Sequence, residues 1–369
     1  MIVLPEKTRR TLERLVNAMR IKEDVYGIGL FGSLSRGEAV PSSDVDLFIL
    51  DAGHFKYEYV ERVETGGLLV DLDHVPKQCF ETLVPPEIDQ KLHEMQILYD
   101  RDWSLTNTKL LMDKSFSSPE RVDIRTEGHV IDSDIYLSRA TSAFSRDDFQ
   151  SACLFATVAL EHILRVLVEI ALVPFSNSHF FEALEASMEK LAMQDLYAEY
   201  LNIAGLDNVD RAGVKDKIKL FKAIWDEIDH AVDQNSSVFA SAHFKIRTKL
   251  NYLLNPAFMR GLLLRANALA DEDKVAEASH YVGNVLLDLV ENYAWLRASA
   301  GKMRREYARL MRLLERLERK NPKNLERIIA FMELADVDES RAEDAIERIR
   351  KIVLRVRLER KVLIRKFFA

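Results

Sequence analysis

The spacing of hydrophobic and polar positions changes once along the chain, near residue 100. Residues 5–20 carry Leu12, Leu15 and Val16 at helical spacing, which predicts an amphipathic first helix. Short apolar runs bounded by glycine or proline follow and predict four strands, at 25–31, 44–50, 67–75 and 96–99. Beyond about Asp102 the long segments have helical spacing. The pattern therefore predicts an α+β protein, with a small mixed β-sheet followed by a large all-α region.

The helical region contains few of the glycine, proline and asparagine residues that usually end helices. The spacing predicts helices at 120–146, 149–173, 180–203, 213–232, 238–251, 256–270, 273–298, 300–320, 323–335 and 339–366. We expect three domains: a sheet domain at 1–103, a helical bundle offering a substrate or partner surface at 104–255, and a C-terminal helical domain with a basic end at 256–369.

The net charge of −7 is unevenly distributed. Residues 301–369 contain 20 Lys and Arg against 12 Asp and Glu, a balance of +8, so residues 1–300 carry −15. A basic end on an acidic body favours a polyanionic partner or a contact within the molecule, and the alternative is a solvated helix with arginines on its outer face. Leucine, isoleucine and valine recur at three- and four-residue steps in 303–320 and 345–368. This amphipathic pattern suits a helical hairpin or a homodimer contact.

Composition is that of a folded soluble protein, with 48% apolar and 30% charged residues. The longest nearly apolar run, near 163–175, contains Arg165 and Glu169 and is too short for a membrane span. The first residues do not have the pattern of a signal peptide. Two cysteines, Cys79 and Cys153, exclude a disulfide framework and a cysteine-based zinc site. We expect a cytoplasmic protein with no membrane association.

The stretch 29–50, GLFGSLSRGEAVPSSDVDLFIL, combines a glycine turn with two carboxylates in an apolar strand. Gly32 permits a sharp turn after the first strand, and Ser33 opens what looks like a helix, whose first N–H groups attract phosphate. Asp44 and Asp46 are two residues apart, so both carboxylates project from one face of the strand. Two unpaired carboxylates in a strand cost stability unless they bind a cation.

A later strand offers a second pair, Asp71 and Asp73, again two residues apart. If this strand lies beside that of Asp44 and Asp46, three or four carboxylates converge on one point. Their repulsion turns into favourable binding when a divalent cation lies between them. Oxygen ligands without histidine or cysteine suit Mg²⁺ or Mn²⁺ rather than zinc.

Taken together, these motifs resemble those of a known enzyme superfamily. They read Gly32-Ser33, Asp44-Val45-Asp46 and Val70-Asp71-Leu72. Residues 20–100 thereby resemble the DNA polymerase β-like nucleotidyltransferase superfamily, and look most like its minimal and kanamycin-type members. The resemblance implies that Gly32 and Ser33 bind the β- and γ-phosphates of a nucleoside triphosphate, with Arg36 near the same phosphates.

The resemblance also implies a metal site. Asp44 and Asp46 would bind two Mg²⁺ ions, and Asp71 would complete the inner site and activate the attacking hydroxyl. Alternation along the strand leaves Asp73 equally well placed as the third carboxylate. The implied chemistry is two-metal displacement at a phosphoryl group.

The enzyme implied by the resemblance transfers a nucleotidyl group, AMP from ATP above all, to a hydroxyl and releases pyrophosphate. The acceptor is a small molecule, a protein side chain or an RNA end, and the sequence does not choose among them. Two alternatives are a non-catalytic nucleotide- or nucleic-acid-binding regulator and an antitoxin-like interaction protein whose helical part is the partner surface.

Residues 149–170 are apolar around most of the helix and predict the central helix of a bundle. They look like the helical partner of small nucleotidyltransferases, either the substrate domain of kanamycin-type enzymes or a HEPN bundle. By the first resemblance Glu161 would be a general base, and the alternative is a glutamate paired with Arg165 four residues on. HEPN nucleases place four to six residues between an arginine and a histidine; Arg125 and His129 have three between them, so nuclease activity is not expected.

Overall fold

The computed structural model describes residues 6–81, 83–301, 303, 306–319 and 322–368. The chain forms two compact units, each made of two separate stretches. The first unit contains the chain up to Arg121 together with His243–Arg265. The second unit contains Val122–Ala242 together with the chain from Ala266 onward. This division differs from the predicted boundaries at residues 103 and 255, because a short helical segment from the second half of the chain packs with the sheet.

The first unit is built on a five-stranded mixed sheet of order β3-β4-β2-β1-β5. Its elements begin with α1 (Glu6–Met19), β1 (Val25–Phe31), α2 (Gly32–Arg36), β2 (Val45–Asp51), β3 (Tyr59–Thr65), β4 (Leu68–Pro76), α3 (Asp89–Glu94), β5 (Gln96–Asp100) and α4 (Ser104–Ser115). β2 and β4 are parallel, and the other neighbouring strands are antiparallel. The first helix and all four predicted strands are confirmed to within one residue at each end; Pro5 lies outside the described residues.

Each face of the sheet is covered by helices. Val45, Leu47 and Ile49 of β2 point to one face, where they pack with Leu12 and Met19 of α1. The alternate residues of β2, Phe48 and Leu50, pack on the other face. They meet Ile88, Leu92, Leu105 and Met112, which lie in or next to α3 and α4. This alternation is the period of two expected of a strand covered on both sides.

β3 was not predicted from the sequence. Its only buried residue is Arg62, and Glu61 and Glu64 are exposed, so the strand has no apolar face to signal its period. It lies at the edge of the sheet, where charged side chains are common. α11 (Phe244–Leu253) packs against β3, and α12 (Pro256–Asp271) begins in the same unit.

The second unit is helical, which confirms the predicted α+β class. Its helices are α5 (Pro119–Phe144), α6 (Phe149–Ile170), α7 (Phe180–Leu191), α8 (Gln194–Ile203), α9 (Arg211–Asp233), α10 (Ser236–Ala240), α13 (Val275–Ala300), α14 (Leu310–Leu317), α15 (Lys323–Phe331) and α16 (Glu339–Phe367). α6 packs against α7, α14 and α16. The predicted helix at 180–203 is two helices, because the chain turns at Ala192 with a φ of 55°. Of the predicted helix 300–320, residues 302, 304, 305 and 320 lie outside the described residues.

Arginines of α16 form ion pairs with acidic residues of the same unit. Arg360 is buried and contacts the carboxylates of Asp123 and Glu127, and Arg357 contacts Asp134. The basic end therefore makes the contact within the molecule that its charge favoured, and the polyanionic partner stays a prediction.

α6 is long and apolar enough to cross a membrane by length and composition alone. From the sequence, residues 149–170 were predicted to form the central helix of a bundle, and only the run near 163–175 was compared with the length of a membrane span. Most of the helix is buried inside the second unit, as in the core helix of a soluble protein. The absence of membrane association stays an expectation.

Candidate active site

Parallel pairing of β2 and β4 brings the predicted carboxylates together. Asp46 of β2 lies directly opposite Asp71 of β4, and paired residues of neighbouring strands project to the same side of a sheet. Asp44 immediately precedes β2. Carboxylate oxygens of Asp44, Asp46 and Asp71 all lie within 4.8 Å of one another. We call these three residues the acidic triad.

Asp73 lies one step further along the same face of β4, opposite Phe48 rather than Asp46. The residue Asp73 is 2% exposed, and its carboxylate forms an ion pair with Lys91 of α3. Burial raises the pKa of Asp73 to about 7. Asp73 is therefore outside the acidic triad, and the register favours Asp71 as the third carboxylate.

The turn between β1 and α2 places the backbone against the acidic triad. Gly32 has a φ of +75°, and a Cβ built on it would lie 2.4 Å from Asp46 Oδ2. Glycine is therefore favoured at this position by its conformation, and also by space, because a Cβ would displace the Asp46 carboxylate. Ser33 is half-buried in the first turn of α2.

A carboxylate that the sequence did not reveal binds the groups predicted to hold phosphate. The Gly32 N–H donates to Glu94 Oε1 at 2.8 Å, and Arg36 Nη1 donates to Glu94 Oε2 at 2.5 Å. Arg36 Nε also donates to Glu38 at 2.6 Å. These partners raise the pKa of the guanidinium despite its burial. Gly32 and Arg36 thus form one anion-binding group, with the Glu94 carboxylate as its anion in this structure.

Three further side chains missed by the sequence analysis contact the acidic triad. Arg62 donates to both oxygens of Asp71 and, at 2.5 Å, to Asp44 Oδ2. The Tyr252 hydroxyl donates to Asp71 Oδ2 at 2.9 Å, and Arg265 Nη2 donates to Asp44 Oδ1 at 2.5 Å. The sequence contains a local signal for Arg62, because it is a single arginine among residues that favour strands. It contains no such signal for Tyr252 or Arg265.

The three carboxylates differ in their pKa values. Burial raises the pKa of Asp44, but the charges of Arg265 and Arg62 outweigh it and leave the pKa lowered. Burial together with the charges of Asp44 and Asp71 holds the pKa of Asp46 well above its usual range. Burial also raises the pKa of Asp71, although Arg62 opposes it.

The donor set fits a hard divalent cation. Within the described residues the carboxylate of Asp46 forms no hydrogen bond or ion pair, and it faces two other carboxylates. Its pKa is raised by burial and by the charges of Asp44 and Asp71, which the charges of Arg265 and Arg62 oppose. A cation between the three would favour ionisation of Asp46, and an all-oxygen donor set is the one that Mg²⁺ and Mn²⁺ prefer.

Glu161, in the second unit, is held by hydrogen bonds. It accepts from Arg165 Nη2 at 2.6 Å, contacts His280 Nε2 at 3.0 Å and accepts from Asn284. His280 and Arg165 lower its pKa in spite of burial, which makes the carboxylate a weak base. The predicted pairing with Arg165 is confirmed.

Clustered carboxylates on adjacent strands, next to a glycine turn, suit an enzyme that transfers phosphoryl or nucleotidyl groups with the help of metal ions. Residues 12–104 match the family model described as the nucleotidyltransferase domain. The chain therefore carries a nucleotidyltransferase domain, and the prediction of a nucleotidyltransferase is confirmed at that level.

The other two comparisons do not extend this assignment. No curated protein matches the chain. Among solved structures the chain is similar to a nucleotidyltransferase-like protein from Exiguobacterium sibiricum 255-15, at 13% identity over 88% of this chain and 90% of that one, with a TM-score of 0.33.

Proposed function

We propose that the chain transfers the nucleotidyl group of a nucleoside triphosphate, AMP from ATP above all, to a hydroxyl acceptor and releases pyrophosphate. The observation that carries the proposal is the convergence of Asp44, Asp46 and Asp71 beside the Gly32 turn. Mg²⁺ or Mn²⁺ is the cation that these oxygens would bind. The acceptor is a small molecule, a protein side chain or an RNA end.

The residues of the site have separate tasks in this reaction. The Gly32 N–H and the Arg36 guanidinium bind the β- and γ-phosphates once they exchange Glu94 for the substrate. Asp71, held in place by Arg62 and Tyr252, takes the proton of the attacking hydroxyl. The acceptor oxygen forms a bond to the α-phosphorus, and the bond from that phosphorus to the pyrophosphate oxygen breaks. Bound Mg²⁺ would lower the pKa of the acceptor hydroxyl and stabilise the leaving pyrophosphate.

A nucleotide-binding regulator without transfer activity is the second candidate. It is favoured by the arginines, because Arg62 and Arg265 form ion pairs with Asp44 and Asp71 and so offset part of the charge that would attract a metal ion. A homodimer contact through the C-terminal helices, an antitoxin-like role and a cytoplasmic location remain predictions.

The test is pyrophosphate release from each of the four ribonucleoside triphosphates with Mg²⁺ and cell extract as acceptor pool. Asp44→Asn/Asp46→Asn should abolish release, whereas Asp24→Asn/Asp113→Asn, which removes two exposed carboxylates from the same unit, should not. Label transferred from the nucleotide would then name the acceptor class. Binding of triphosphate with no release in any extract would favour the regulator.

A further inference from the structure

A second group of metal-ligating side chains lies in the helical unit, between α5 and α6. His129 and Asp132 are three residues apart on α5 and therefore share one face of that helix, and His162 lies on α6. One ligand atom from each of the three lies within 4.8 Å of the others. We propose that His129, Asp132 and His162 form a binding site for a divalent transition metal of the zinc type.

The donor set differs in kind from the acidic triad. Two imidazole nitrogens and one carboxylate oxygen suit Zn²⁺ and its neighbours in the transition series, whereas Mg²⁺ avoids imidazole. Three protein ligands leave a fourth tetrahedral position for water or another small ligand. The low cysteine count excluded only a cysteine-based zinc site, so this site does not conflict with it.

The ring of His162 faces Asp132, with its Nδ1 atom 3.8 Å from Asp132 Oδ2. Its Nδ1 atom is buried and forms no hydrogen bond, which is rare for a buried polar atom. Tyr136, one further turn along the same face of α5, stacks on the ring with centroids 5.3 Å apart and planes at 13°.

A carboxylate, that of Glu169, lies near the other histidine, His129. Glu169 Oε1 lies 3.8 Å from His129 Nε2, and Glu169 Oε2 accepts from Arg125 Nε at 2.6 Å. An outer carboxylate that orients a ligating histidine is the usual support of a zinc site. Arg165, the other nearby cation, is neutralised by Glu161. The local charge therefore permits a bound cation.

The geometry requires only a small adjustment on binding. Tetrahedral zinc with bonds of about 2.0–2.1 Å draws its ligand atoms closer together than they are here. The Asp132 side chain is 50% exposed, while both histidines are 20% exposed and lie between α5 and α6. The histidines would thus fix the site and the aspartate would close it.

The experiment is a Zn²⁺ titration of the metal-stripped full chain against a chromophoric chelator, carried out in the Asp44→Asn/Asp46→Asn background so that the acidic triad does not contribute. One equivalent of Zn²⁺ should bind. His129→Ala/His162→Ala should weaken it by about 100-fold or more, and the gentler Asp132→Asn by about tenfold. Co²⁺ in place of Zn²⁺ should give the visible absorption of tetrahedral coordination, which the double histidine variant should lose.

The matched control is His179→Ala/His230→Ala, which removes one half-buried and one exposed histidine of the same unit from outside the site. It should bind Zn²⁺ as tightly as the parent. No bound equivalent in the parent, or equal binding by parent and His129→Ala/His162→Ala, would overturn the proposal. Far-ultraviolet circular dichroism distinguishes a lost ligand from a lost fold, and Asp132→Asn, which changes a half-exposed side chain, provides a second reading in a variant expected to fold.

Discussion

Arg62 and Asp71 are opposite residues on the antiparallel strands β3 and β4, and the guanidinium of Arg62 holds both carboxylate oxygens of Asp71. The same guanidinium reaches Asp44, so one arginine links two of the three carboxylates at the site. A divalent cation bound there competes with Arg62 for these oxygens. The stability of the first unit and its affinity for metal are therefore coupled through this side chain.

Arg62→Met should lower the free energy of unfolding by about 3–5 kcal/mol in the presence of a chelator, because two buried carboxylates lose their shared cation. Mg²⁺ should restore more stability to this variant than it adds to the wild type. Urea unfolding with chelator and with Mg²⁺ measures both quantities. Arg260→Met, which removes an exposed pair with Glu64, should cost no more than about 1 kcal/mol in either condition. Equal losses with chelator and with Mg²⁺ would contradict the competition between Arg62 and the cation.

Gly32→Ala and Gly37→Ala form a matched pair, since both glycines have a φ between 75° and 79°. A Cβ at Gly37 meets nothing within 4 Å, so that substitution should cost only the conformational strain of about 1–2 kcal/mol. Gly32→Ala should cost about 1–3 kcal/mol more, because its Cβ meets Asp46. Adding Asp46→Ala should recover that excess in a double-mutant cycle by urea unfolding. An excess that persists in the absence of the Asp46 carboxylate would place the clash elsewhere.

Glu94→Gln should bind a non-hydrolysable ATP analogue more tightly than wild type, by about tenfold or about 1.4 kcal/mol. The carboxylate of Glu94 accepts hydrogen bonds from the Gly32 N–H and from Arg36, and its negative charge repels phosphate. Glu38→Gln is the control, because Glu38 also pairs with Arg36 but is exposed and does not reach Gly32. Calorimetric titration at fixed Mg²⁺ compares the three proteins. Unchanged affinity in Glu94→Gln would mean that the nucleotide binds away from this turn.

Asp73 should make stability depend on pH in a direction unusual for an aspartate. Its pKa is about 3.9 when unfolded and about 7 when folded. Between these values the folded state binds more protons, so the contribution of Asp73 to the free energy of unfolding falls as pH rises from about 4 to about 7. Asp73→Asn should remove a decline of about 1–3 kcal/mol over that window.

The measurement for Asp73 is urea unfolding of wild type and variant at half-unit steps of pH. Asp102→Asn is the control, because Lys77 and Ser104 lower the pKa of Asp102 to about 2, so it is ionised above about pH 5 both folded and unfolded. If the difference in free energy of unfolding between wild type and Asp73→Asn does not change with pH across the window, then Lys91 keeps Asp73 ionised.

The sequence predicted the strands that carry the carboxylates, but not which carboxylate meets which. Alternation places Asp71 and Asp73 on one face of β4 equally well, and only the register with β2 puts Asp71 opposite Asp46. Register is set by pairing between distant segments, and a shift of the pairing would have brought a different residue to the site. The edge strand β3 was missed because its buried position is an arginine.

Tyr252 and Arg265 could not have been predicted as site residues. Their helical segments have ordinary apolar spacing, and such spacing indicates a helix without indicating which unit it packs with. Glu94 was equally hidden, since a glutamate at the end of a short helix is unremarkable in sequence. The contacts that complete the site are therefore long-range ones, which a single sequence does not encode in any local pattern.

The first unit is discontinuous, and this has a consequence for the order in which the protein is made. All five strands have left the ribosome once residues up to Asp100 have emerged, but His243–Arg265 follows only about 140 residues later. A sheet formed in that interval would have Arg62 as the cross-strand cation of the carboxylates, and Asp44 would still lack Arg265. The nucleotidyltransferase domain thus completes its charge balance only after most of the chain has been synthesised.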